Sequence, residues 1–169
     1  FSFDSISIPS DNEPLDSESN NSIFETQSKL YESENISILI EIIKNKNNPQ
    51  EKILKFKTLN TSNNKEVSHV TYFLKISKED KLILSDFFYT ETDTLSLNVS
   101  TNNSESIVIF GERKYDHNAL LTNSESPVKL TGPLLEDNVT YDVNIELRTI
   151  YDTSNWVFVL DNFNAKIKS

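Results

Sequence analysis

The chain offers two histidines, 26 carboxylates and no cysteine or methionine as raw material for chemistry. His69 and His117, with a carboxylate such as Asp116, could form a small His–carboxylate metal site. A copper electron-transfer centre is excluded, because it needs a thiolate and a weak axial ligand of the methionine kind. Glu136 and Asp137, with Asp142 on the polar face of a strand, could gather round calcium at one end of a sandwich. The chain has no D-x-D-x-D-G loop of the kind that wraps calcium in an EF-hand. With two glycines in all, it has neither a phosphate-cradling loop nor a nucleophile elbow. Paired acids alone do not make a glycosidase, which also needs a cleft. These residues assign no catalytic role and no cofactor. His69 reads as a solvent-facing residue beside Val70, and His117 as a loop residue. An ion- or ligand-binding module using the acidic loops or a His–carboxylate site stands as the alternative function.

A second kind of chemistry is modification. Asn20, Asn35, Asn60, Asn98, Asn102 and Asn138 each begin an N-x-Ser/Thr acceptor sequon for N-linked glycans. Asn35 is out of phase with Ile36, Ile38 and Ile40, Asn98 lies between inward Leu97 and Val99, and Asn138 precedes inward Val139. The others fall in polar loops, so all six are expected to face solvent. The aromatic run Phe87-Phe88-Tyr89 puts rings on both faces of a strand. One face must be core, and the other is either a second buried layer or an exposed contact patch carrying Phe87 and Tyr89.

These groups need a frame, and the stretch 139–168 supplies its clearest part. Val139, Tyr141, Val143, Ile145 and Leu147 alternate with polar residues, which is the period of a strand. Asp152 to Asn155 has turn chemistry, and Trp156, Phe158 and Leu160 open a returning strand. The apolar phase then slips to Phe163, Ala165 and Ile167, which predicts a bulge near Asp161-Asn162. Ile36 to Ile42, Leu54-Lys55-Phe56, Val70 to Ile76, Lys81 to Leu84, Leu95 to Val99, Ile107 to Phe110 and Val128 to Leu130 read as further strands. Glu112 to Ser126 has no strand pattern. The pattern predicts an all-β fold, an antiparallel immunoglobulin-like β-sandwich of about nine or ten strands, with an up-and-down barrel as the alternative.

Residues 1–22 form an extended N-terminal segment, and 23–169 the sandwich domain. Within the former, Phe1, Phe3, Ile6 and Ile8 are interspersed with polar residues, as in a strand that a partner's sheet could accept. Residues 9–22 are almost wholly polar. The sequence starts at Phe1 rather than Met, which reads as a processed N-terminus or a numbered fragment of a longer chain. The net charge of -10 argues against nucleic acid and anionic membrane surfaces. No apolar run approaches the ~20 residues that span a bilayer, so this chain is not expected to insert into a membrane.

The segments His69–Ile76, Asp86–Tyr89, Leu95–Val99, Pro127–Pro133 and Thr140–Tyr151 carry a resemblance. They are similar to a group of secreted, largely uncharacterised immunoglobulin-like β-sandwich proteins of ammonia-oxidising archaea. The similarity spans residues 50–151 and departs where that group often has a glycine pair, replaced here by Asp137-Asn138-Val139. The resemblance implies export, a cell-surface location and glycosylation, and it brings no catalytic residue. The expected function is a non-enzymatic extracellular glycoprotein acting by protein–protein contact. It would be a structural subunit of a surface filament or layer, or an accessory subunit on the outer face of a membrane complex. The partners would be copies of itself or proteins of the cell envelope.

Overall fold

The computed structural model describes residues 21–27, 29–31, 34–113, 118–122, 128–150 and 163–169. They form an all-β molecule of fourteen strands in two sheets, with no α-helix among the described residues. The path of the eight-stranded sheet runs β1 (Asn21–Glu25), β3 (Glu34–Lys44), β4 (Glu51–Asn60), β8 (Thr94–Thr101), β12 (Val128–Gly132) and β9 (Val108–Phe110). Off this path, β2 (Lys29–Tyr31) pairs with β3 and β5 (Lys65–Glu66) with β4. The six-stranded sheet runs β10 (Glu112–Arg113), β11 (Leu120–Thr122), β7 (Lys81–Thr90), β6 (Val70–Lys78), β13 (Thr140–Thr149) and β14 (Phe163–Lys168).

Alternation builds the core between the sheets. Ile36, Ile38, Ile40 and Ile42 of β3, Leu54 and Phe56 of β4, and Leu95, Leu97 and Val99 of β8 face Tyr72, Leu74 and Ile76 of β6 and Tyr141, Val143, Ile145 and Leu147 of β13 in one buried cluster. β13 and β14 pair antiparallel from Thr140↔Lys168 to Ile145↔Phe163, and Phe163 and Ile167 are buried on the expected phase. Trp156, Phe158, Leu160 and the expected bulge at 161–162 lie outside the described residues, as do Phe1, Phe3, Ile6, Ile8 and Asn20.

Two expectations need correction. The sandwich is not purely antiparallel: β12 runs parallel to β8, and β11 parallel to β7. Both arise because the chain crosses between sheets after β9, and alternation carries no information about a neighbour's direction. The strand count exceeds the expected nine or ten because β2, β5, β10 and β11 have only two or three residues, too short for a visible period. Two of them, β10 and β11, lie in the stretch expected to have no strands. The first described strand, β1, starts at Asn21 and pairs with β3.

The ends of the strands are held by polar contacts. Tyr141 is fully buried at the start of β13, and its hydroxyl accepts a hydrogen bond from the Glu136 backbone N–H at 2.9 Å. Burial raises its pKa above the usual phenol value. Lys52 points inward from β4 with a side chain only 2% exposed, and its ammonium donates to the Leu135 carbonyl and to Asp137 Oδ1 at 3.2 Å. The Leu135 carbonyl keeps a second donor in Ser169 Oγ, whereas the buried ammonium has one carboxylate. Asp137→Ala is therefore expected to cost about 1–2 kcal/mol, and Lys52→Met less, because the first leaves a buried charge behind. Urea unfolding of the two variants checks this, and a costlier Lys52→Met would contradict it.

Candidate interaction surface

The carboxylates singled out for ion binding are matched by lysines. Asp137 meets Lys52, Glu136 meets Lys78 Nζ at 3.2 Å, and Asp142 meets Lys166 Nζ at 2.6 Å. A depression of about 590 Å³ on the six-stranded sheet is lined by Asp142, Asn144, Asn164 and Lys166, whose charges neutralise each other. Among the described residues, no three of His, Asp and Glu converge as a cation site. His69 is not solvent-facing: it is half-buried with φ at 55°, and its Nδ1 lies 3.0 Å from the Tyr89 hydroxyl. His117 and Asp116 lie outside the described residues.

The sequons divide. Asn35, Asn102 and Asn138 are exposed, and Asn98 is half-buried on the outer face of β8 between Ile53 and Lys129. Asn60 corrects the expectation that all face solvent. It is buried, its amide donates to Glu34, and its Oδ1 accepts the Ser62 N–H at 3.0 Å. A sugar on Nδ2 would have to draw the buried amide out of this site, so peptide mass mapping of folded, glycosylated protein is expected to find Asn60 bare. A sugar found there would contradict this geometry.

The aromatic run divides as well. Phe88 is core, and Tyr89 is 3% exposed against His69, so Tyr89 belongs to a second buried layer and not to a contact patch. Phe87 is half-buried on the same outer face, stacked on Phe73 with centroids 4.6 Å apart. The register slips between Leu147 and Thr149, and the Arg148 guanidinium lies 5.4 Å and 5.5 Å from the two rings. Arg148 Nη2 donates to Glu146 at 2.6 Å. Cations thus already occupy the faces of these rings.

The sheet edges differ more sharply. β14 carries Lys166 and Lys168, and it lies beside β1 of the other sheet. β10 is two charged residues, and Arg113 grips Asp86 at 2.9 and 3.1 Å, a pairing that raises the arginine's pKa. Such charges guard a strand edge against further pairing. β9 has no such guard. Its residues are Val108, Ile109 and Phe110, it pairs with β12 alone among the described residues, and Val108 and Phe110 are 50% and 56% exposed.

No family model, curated protein or solved structure matches the chain.

The β9 edge escaped sequence reasoning for a physical reason. Ile107 to Phe110 is an unbroken apolar run, which fits a strand buried on both faces as well as one left at an edge. Only the pairing with β12 on one side reveals which it is.

Proposed function

We propose that this chain is a non-enzymatic, extracellular, glycosylated β-sandwich of immunoglobulin-like kind that works by protein–protein contact. It serves as a structural subunit of a cell-surface filament or layer, or as an accessory subunit on the outer face of a membrane complex. The observation that carries this reading is the open, uncharged edge of β9, on a body whose clustered acids are paired with lysines. An unguarded strand edge is a template for pairing with another chain. The Tyr141–Glu136 bond supports the immunoglobulin-like relation, since a tyrosine bonded back to the preceding turn recurs in such sandwiches. The exposed sequons at Asn35, Asn102 and Asn138 support the glycoprotein reading.

Because β1 begins at Asn21, removing residues 1–20 leaves every described strand in place. The full chain is expected to form assemblies in sedimentation velocity, and the truncated chain to remain a folded monomer by circular dichroism. Assembly undiminished by the truncation, or a full chain that stays monomeric at every concentration reached, would refute the proposal.

A further inference from the structure

We propose that the free edge of β9 accepts the segment Phe1–Ile8 from a second copy of this chain as an added strand. The inference rests on the assembly reading above and names both halves of the contact. On the acceptor side, β9 offers a backbone edge unpaired among the described residues, with Ile109 turned to the core and Val108 and Phe110 outward. An added strand satisfies that backbone and covers the apolar rings and methyls beside it. On the donor side, Phe1, Phe3, Ile6 and Ile8 are apolar, and Asp4 is the only charge in the segment. Lys129 of β12, exposed next to Phe110 in the register, has the opposite sign.

The position of β1 puts donor and acceptor at opposite edges of one sheet. β1 and β9 terminate opposite ends of the six-strand path, five spacings of about 4.8 Å and so about 24 Å apart. The tail leaves one edge of the sheet, and the acceptor is the other edge. A contact between two different edges is heterologous, and repeated from copy to copy it propagates as an open chain. A tail folded back over its own sheet would close the acceptor and end growth.

A photoreactive benzoyl-phenylalanine at position 110, in unlabelled chain mixed with an equal amount of isotope-labelled unmodified chain, tests this directly. Irradiation followed by digestion and mass spectrometry is expected to join position 110 to labelled peptide 1–8. Cross-links solely to unlabelled peptide 1–8 place the tail on its own sheet and overturn the proposal. Cross-links elsewhere, or none, also overturn it. Sedimentation of the same mixture separates the two claims. Polymers without the 110–tail cross-link sink this contact and leave the assembly reading standing, whereas a mixture that never assembles sinks both. A second variant, Val108→Lys with Phe110→Lys, changes side chains that are already exposed. It is expected to abolish assembly with the circular dichroism spectrum unchanged, and wild-type assembly by this variant refutes the contact.

Discussion

Gly132→Ala is expected to cost about 3–5 kcal/mol and to loosen β9 along with it. Gly132 closes β12 with φ at +151°, a conformation that a side chain strongly disfavours. A Cβ there would stand 2.8 Å from the Ser106 carbonyl oxygen and 3.0 Å from Ile107 Cα, both of them backbone and unable to rotate away. The segment that passes over Gly132 is the one leading into Val108, so relief of the clash has to lift the edge strand off β12. Gly111→Ala is the internal control. Its Cβ would meet Val128 Cγ2 at 3.2 Å and Leu120 Cδ2 at 3.3 Å, the ends of side chains, and its cost is expected to stay below about 1.5 kcal/mol. Urea midpoints rank the two variants, and sedimentation reads assembly. Gly132→Ala should lose both stability and assembly, and a midpoint no lower than that of Gly111→Ala would contradict this account.

The alternating strands were legible because burial between two sheets forces a period of two on them, as in Ile36 to Ile42 and Val139 to Leu147. Asn60 was legible too, but only by following β4 to its end. Lys52, Leu54, Phe56, Thr58 and Asn60 share one phase and are all buried, so the position that carries a sequon also belongs to the inward row. A polar residue on an inward phase signals a buried hydrogen bond more often than a modification site. Tyr89 was harder, since an aromatic on the outer phase of β7 is buried or bare according to what lies over it, here His69. The parallel pairs β8–β12 and β7–β11 and the openness of β9 depend on which strands become neighbours across long connections. No local pattern in a single chain records that. The fold was therefore readable strand by strand, while the contact surface depended on the arrangement of the strands.

Tyr72 provides the other large effect, and it can be separated from simple loss of volume. Its ring is fully buried in β6, and its hydroxyl lies 2.5 Å from Thr58 Oγ1 of β4, a polar bridge between the two sheets inside the core. Tyr72→Phe leaves the Thr58 hydroxyl without a partner in an apolar setting and is expected to cost about 1–3 kcal/mol. Thr58→Val strands the phenol at a similar cost. The double variant replaces both groups with apolar ones of like shape, so it should lose less than the sum, with a coupling of about 1–2 kcal/mol. Strict additivity would show that the bridge adds nothing. The same pair sets a response to alkali. Burial pushes the Tyr72 phenol well above its usual value, so the folded state keeps its proton where the unfolded chain has lost it. A raised folded pKa contributes stability that is complete below the unfolded value near 10, and this is lost as pH climbs towards the folded one. Above pH 10 the wild type should therefore lose stability faster than the double variant, by about 1.4 kcal/mol per pH unit, the slope for one proton. Urea unfolding of both proteins between about pH 9 and 11.5 measures the difference, and parallel slopes would place the Tyr72 hydroxyl in contact with water.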